Sequence, residues 1–452
     1  MSVFKSGSIR GIYGTEWNRE TVYRIGYHLV SILDAKTAVI GRDGRLSSNE
    51  IFESLTEGLL RAGCSVTDIG MIDSPGVPFA NIIHGFDCGI MITASHNPPE
   101  YNGLKISGKN ALVISKHNGL LDLENSISEA PGPVVPGGSQ KVLNIIPEYL
   151  EKLAPYKKSV GNLKCIVDCS NGMGSVLVHK VVKDLPGVYT IINDSIDGNF
   201  PAHDPNPTLE SSLKEIKKQV LDNNADLGIC FDGDGDRTIF IDEKGNWVSP
   251  DLILAMLGLY YFKHFPERKG TDDGVLYDAR STNSISDFIS TLGGKSYICS
   301  TGHTAMQEGL PALNGIYGGE LPGHYYYRDF YSLDNGWIPF LQIQAILSLE
   351  KKSFSEIIKD INNYSFSGEI NFKISNGKSL IEKIKEKYSY GKQTFLDGVR
   401  VDFNDWWFLV RMANTEPILR LVVEGKNEII LKKRVKELKY FIYQAGGLDH
   451  FS

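Results

Sequence analysis

Thr37-Ala-Val-Ile-Gly-Arg-Asp-Gly-Arg-Leu-Ser-Ser-Asn-Glu-Ile-Phe-Glu-Ser-Leu-Thr-Glu-Gly-Leu-Leu-Arg-Ala-Gly-Cys-Ser-Val-Thr-Asp-Ile69 decides the fold class. Residues 37–40 are an apolar run that enters the turn 41–45. Residues 50–61 then repeat apolar side chains at helical spacing, and 65–69 is apolar again. Strand, turn, amphipathic helix and second strand make one βαβ unit, whose strands pair in parallel and are buried on both faces.

The rhythm returns twice. Strand 165–167 enters Asp168-Cys-Ser-Asn-Gly-Met-Gly174, with a helix at 175–183 and a strand at 189–192. Strand 275–277 enters Asp278-Ala-Arg-Ser-Thr-Asn283, with a helix at 285–292 and a strand at 296–299. After about residue 365 the texture changes. Strands are expected at 369–374, 399–403, 407–412 and 418–424, with a basic amphipathic helix at 428–445. The expected fold is α/β: three similar α/β domains with mixed, mostly parallel sheets, and a C-terminal α+β domain, around a central cleft. Boundaries are placed at 1–142, 143–248, 249–364 and 365–452. The Pro- and Gly-rich stretch 129–140 reads as a linker before the second unit.

The chain's 452 residues exceed one compact core and fit about three or four domains of roughly 100–150 residues. A net charge of -7 argues against a broad nucleic-acid footprint. It also requires a local basic cluster for any anionic substrate. The six cysteines form no C-x-x-C pair and sit mostly in apolar runs, as buried thiols in a reducing compartment. Met1-Ser-Val-Phe-Lys-Ser-Gly7 has no signal-peptide core, and the longest apolar run, 252–262, is too short to span a bilayer. The expectation is a soluble, cytoplasmic protein with no membrane or nucleic-acid partner, as monomer or homodimer.

Chemistry concentrates in two turns. In Asp232-Gly-Asp-Gly-Asp-Arg237 an apolar strand runs straight into three carboxylates separated only by glycines. Glycine permits the tight path that lets carboxylates converge, and hard oxygen ligands suit Mg²⁺. An ion-free acidic turn is one rival. An EF-hand loop is another, since Glu243 falls at its twelfth position; Arg237, however, stands where that loop needs glycine, and the flanks read as strands. In Gly89-Ile-Met-Ile-Thr-Ala-Ser-His-Asn-Pro98 a strand ends in a small-residue turn that puts Ser95 at the carboxyl edge of a sheet, where open α/β domains bind ligands. A serine hydroxyl needs activation or covalent pre-loading to react. His96 invites a hydrolase reading, but G-x-S-x-G is absent. A plain turn remains the bland alternative.

Four motifs in order, Thr93-Ala-Ser-His-Asn-Pro98, Asp232-Gly-Asp-Gly-Asp-Arg237, Gly319-Glu-Leu-Pro-Gly-His324 and Arg411-Met-Ala-Asn-Thr-Glu-Pro417, resemble the signature loops of the α-D-phosphohexomutase family, of phosphomannomutase/phosphoglucomutase type. The resemblance spans essentially the whole chain. It implies that Ser95 is carried as phosphoserine, and that Asp232, Asp234 and Asp236 bind Mg²⁺ with a Ser95 phosphoryl oxygen as a further ligand. Arg237 would face the substrate, Glu320 would contact sugar hydroxyls, and His324 would sit near the transfer site. Arg411, Asn414 and Thr415 would grip phosphate. Phe4-Lys-Ser-Gly-Ser-Ile-Arg-Gly11 and Tyr101-Asn-Gly-Leu-Lys105 resemble further family segments, making Arg10 and Lys105, with His324, candidates for acid–base help and charge offset. His303 and Arg280 match further substrate-contact positions. Pro322 and Ala413 stand where serine is common, each removing a hydroxyl.

The implied reaction interconverts hexose 1- and 6-phosphates, glucose or mannose, with hexose 1,6-bisphosphate as activator. Alternatives are a phosphoglucosamine mutase, kept open by the doubled glycine before Glu320, a Mg²⁺-dependent sugar phosphatase, and a non-catalytic sugar-phosphate binder.

Overall fold

A computed structural model of the chain describes residues 2–413 and 417–450. It divides into two compact units, each built from two separated pieces of sequence. The first comprises Met1–Ser249 with Pro322–Ser355, the second Pro250–Leu321 with Glu356–Ser452.

The first unit holds two mixed sheets. One runs in the order Ile9–Ile12, Tyr101–Ser107, Cys88–Ile92, Thr37–Arg42, Ser65–Met71, Gln140–Val142. The βαβ reading of residues 37–69 is correct: Thr37–Arg42 pairs in parallel with Ser65–Met71, and helix Ser48–Arg61 connects them. Thr37–Arg42 also pairs in parallel with Cys88–Ile92, whose five residues are all buried, as the continuous apolar run requires. Tyr101–Ser107 returns antiparallel beside it. Residues 93–100, which include Ser95, are thus the link between two strands at the carboxyl end of the most deeply buried one. The Pro-rich stretch ends in the edge strand Gln140–Val142 rather than in a free linker.

The second sheet runs Trp247–Val248, Thr238–Asp242, Leu227–Phe231, Leu163–Asp168, Gly187–Ile192. Leu227–Phe231 and Thr238–Asp242 form an antiparallel hairpin in which Phe231 faces Thr238. Asp232 to Arg237 therefore constitute the whole turn, and both flanks are strands. Glu243, the residue that kept the EF-hand alternative open, accepts hydrogen bonds from Ser355 N at 3.0 Å and Oγ at 2.6 Å.

The later segment joins this unit through aromatic packing. Trp337 lies tilted against Phe231, 4.4 Å between ring centroids, and its Nε1 donates to buried Asp73 Oδ2 at 2.9 Å. Helix Trp337–Glu350 is apolar on nearly every side and buried for most of its length, so no helical period betrays which face it shows.

In the second unit, Gly274–Asp278 pairs in parallel with Lys295–Cys299 on one side and Gly315–Gly319 on the other. A six-stranded antiparallel sheet follows, in the order Lys392–Thr394, Val399–Asp402, Trp406–Met412, Ile418–Gly425, Ser365–Lys373, Leu448–Asp449. Its core includes Phe372, Ile384, Val410, Leu421, Leu438 and Ile442. Helix Glu428–Gln444 is capped by Asn427, whose side chain accepts from Ile430 N. The α+β reading of this region is correct, although helix Gly377–Lys387 was not foreseen. Among the described residues no helix is long and apolar enough to cross a membrane.

Candidate active site

In the first unit the serine turn and the aspartate turn meet. Ser95 is buried and has φ +52°, a left-handed backbone that a β-carbon disfavours. Its Oγ donates to Asp232 Oδ2 at 3.1 Å and lies 3.2 Å from His96 Nδ1. The approach is possible because residue 233 is glycine: a β-carbon there would lie 2.7 Å from the Ser95 carbonyl oxygen.

Asp232, Asp234 and Asp236 are buried, and one oxygen from each lies within 4.8 Å of the others. Burial, then the charges of Asp236 and Asp234, push the Asp232 carboxyl well above the usual range. Lys105 Nζ donates to Asp234 Oδ2 at 2.7 Å, Asp236 Oδ2 at 2.5 Å and Ser74 Oγ at 3.0 Å. Burial alone would lower the Lys105 pKa; the two carboxylates outweigh it and hold the ammonium above its ordinary value. Asp234 Oδ1 is buried and has no hydrogen-bond partner among the described residues. Three converging carboxylates with one oxygen left over fit a hard divalent cation of the Mg²⁺ class.

The other candidates of this unit surround that pair. Arg10 Nη1 donates to Asn97 Oδ1 at 3.0 Å, and burial lowers the pKa of its guanidinium. Arg237 Nε donates to His324 Nε2 at 3.0 Å, while His324 Nδ1 lies 3.0 Å from Asp334 Oδ2. These partners place the imidazole proton on Nδ1. His96 is driven down to about 2 by burial and by the charges of Arg237 and Arg10. It is therefore neutral and a weak base beside the serine.

Sequence reading missed Arg45. Its side chain is fully buried, and its Nη atoms donate to the carbonyls of Ser95 (2.8 Å), Asn97 (2.6 Å), Pro98 (2.6 Å) and Tyr101 (3.0 Å). Asp43 carries the counter-charge, 3.1 Å from Nε. The guanidinium thus ties down the strained serine turn. Ser74 was also missed; its Oγ donates to Asp234 Oδ2 at 2.5 Å.

The second unit carries the remaining candidates. Arg280 pairs with Asp278, Nε to Oδ2 at 3.2 Å, and lies 3.9 Å from Glu320. Glu320 Oε1 accepts from Gly302 N at 2.7 Å, immediately before helix His303–Ala312, which His303 opens. Arg411 Nη2 donates to Glu369 Oε2 at 3.1 Å. Burial and nearby Arg280 lower the Arg411 pKa against the pull of Glu369. Asn414 and Thr415 lie outside the described residues.

Family models for phosphoglucomutase/phosphomannomutase alpha/beta/alpha domains I, II and III match residues 1–130, 147–245 and 249–364, and that for the C-terminal domain matches 369–439. The chain belongs to the phosphoglucomutase/phosphomannomutase family. A phosphomannomutase of Salmonella montevideo is 34% identical over 97% of this chain and 98% of its own. A Xanthomonas campestris protein described as phosphohexose mutases is 32% identical over 97% and 98%. A phosphoglucomutase/phosphomannomutase family protein of Burkholderia thailandensis has a solved structure that superposes with a TM-score of 0.89 at 27% identity, covering 99% of each chain. The protein is thus a phosphotransferase of the mutase type that acts on hexose phosphates. Its family's four domains correspond to the three α/β regions and the antiparallel C-terminal region described above.

Proposed function

We propose that this family member interconverts hexose 1-phosphate and hexose 6-phosphate, of glucose or mannose, through phosphorylated Ser95 and a hexose 1,6-bisphosphate. The observation that carries the reading is Ser95 Oγ, 3.1 Å from Asp232, at the edge of the buried aspartate trio. Asp232, Asp234 and Asp236 would hold Mg²⁺, which when bound offsets phosphoryl charge during transfer. Phosphoserine gives its group to the free hydroxyl of the sugar monophosphate; the bisphosphate reorients and returns its other phosphoryl group to Ser95.

Lys105, held protonated by Asp234 and Asp236, serves as a fixed positive charge rather than a base. His324, whose Nε2 accepts from Arg237 Nε while Nδ1 is held by Asp334, is assigned the hydroxyl proton once Arg237 turns to the substrate's phosphate. Arg10 and Arg237 orient and neutralise. Arg280, His303, Glu320, Arg411, Asn414 and Thr415 are assigned the sugar hydroxyls and the non-reacting phosphate.

The test is to incubate the protein with Mg²⁺, bisphosphate primer and each hexose 1-phosphate, glucosamine 1-phosphate included, and to quantify 6-phosphate. Steady release of inorganic phosphate without 6-phosphate would instead mark a phosphatase. Full turnover by Ser95→Ala would refute the nucleophile, and intact mass before and after phosphatase treatment reads the stored phosphate.

A further inference from the structure

Arg411 and Arg420 are register partners on the antiparallel strands Trp406–Met412 and Ile418–Gly425. Two cations directly opposite each other repel, so stability alone does not favour the placement. Strand Ser365–Lys373, on the far side of Ile418–Gly425, supplies one carboxylate to both. Glu369 Oε1 is 3.1 Å from Arg420 Nη1, and Oε2 is 3.1 Å from Arg411 Nη2. Among the described residues, the two guanidiniums therefore share a single negative charge. Nε of each is buried without a hydrogen-bond partner among the described residues. Arg280 adds its own charge nearby, enough to perturb Arg411.

A carboxylate bridging two guanidinium forks occupies the place a phosphate monoester would take, with one oxygen and about one charge fewer. We propose that Glu369 is a built-in stand-in for the substrate's phosphate: it keeps Arg411 and Arg420 side by side before substrate arrives and gives way when a phosphate monoester binds. Glu369 then sets the affinity by competing with the substrate's phosphate for both arginines. The inference rests on the reading of Arg411 as a phosphate contact. It assigns the bridging carboxylate a function beyond bracing three strands.

The two explanations part on the sign of one effect. Inorganic phosphate binding to the full chain is measured by titration calorimetry, and the Michaelis constant for hexose 1-phosphate is measured with bisphosphate primer. The proteins compared are the unaltered enzyme, Glu369→Gln, Glu369→Asp, Arg420→Gln and Arg411→Gln. Removing two partly exposed ion pairs should let Glu369→Gln bind phosphate about three- to tenfold more tightly. Its Michaelis constant should fall in parallel, with a smaller change in kcat. The shorter Glu369→Asp, which reaches one arginine less well, should lie in between, and Arg420→Gln should bind phosphate about tenfold more weakly. Unchanged or weaker phosphate binding by Glu369→Gln, with a lowered thermal midpoint, would make the carboxylate a structural brace and overturn the stand-in. Unaltered phosphate affinity in Arg411→Gln would instead remove the phosphate-contact reading on which the inference rests.

Discussion

Arg45 Nη2 donates to the carbonyl of Ser95 at 2.8 Å, from 50 residues upstream. The turn that holds the candidate nucleophile is thereby fixed by a charge with no exposure to solvent, and the strained φ of Ser95 has an external restraint.

Arg45→Lys should leave the fold intact and lower kcat by about 100-fold, because an ammonium has no fork with which to span four carbonyls. The Michaelis constant should move far less. Arg45→Ala should be worse in another way: it strands buried Asp43 without its partner, and should cost about 3–5 kcal/mol in a denaturant titration.

Removing divalent metal with a chelator should abolish turnover, and Mg²⁺ should restore it. At roughly 100 times its dissociation constant, Mg²⁺ should stabilise the protein by about 2.7 kcal/mol, read as a rise in thermal midpoint. Asp234→Asn should erase that rise. Ser74→Ala keeps every carboxylate but loses the hydroxyl that orients Asp234. It should weaken Mg²⁺ binding about 10- to 100-fold.

Gly233→Ala tests the closeness of the two turns. Its methyl group would sit 2.7 Å from the Ser95 carbonyl oxygen, a backbone atom that can yield only by moving the serine turn. We expect at least a tenfold loss of kcat, while calorimetric metal binding persists. Normal activity would show that Ser95 and the aspartate turn need not touch.

Glu424 predicts a pH dependence of stability that is separate from catalysis. Burial raises its carboxyl to about 7, although Asn283 N and Trp407 Nε1 donate to its Oε1 at 3.0 and 2.6 Å. The folded state therefore binds more protons than the unfolded state between about 4.5 and 7, so stability falls as pH rises through that window. Glu424→Gln keeps both acceptor bonds and removes the titration. Between pH 4.5 and 7.5 the unaltered protein should lose of order 1–3 kcal/mol relative to this variant. Parallel denaturation curves across that range would refute the assignment.

How much of this was readable from the sequence depends on range. Ser95 and the three aspartates stand out because each follows an apolar strand abruptly, so a short window carries the signal. Arg45 sits in an equally short turn, yet a guanidinium after glycine ordinarily faces water; only its four carbonyl partners, 50 to 56 residues away, reveal otherwise. Glu369 looked like any polar residue of a strand, because its meaning depends on the register of two other strands. Trp337–Glu350 lacks an amphipathic period, so its burial could be read but its neighbours could not. Asp334, which fixes the His324 ring, is one more buried acid whose partner had to be seen.

The first unit is completed by Pro322–Ser355, whose last residue leaves the ribosome roughly a hundred residues after Ser249. At elongation rates of about 5–20 residues per second that is a wait on the order of 5–20 s. Until then Asp73 lacks the Trp337 indole, Tyr149 lacks the Asn335 amide, and the aspartate turn has no His324 beside it. A nascent chain halted before residue 322 should therefore remain protease-sensitive and inert, and maturation of the serine site should be timed by translation of a much later segment.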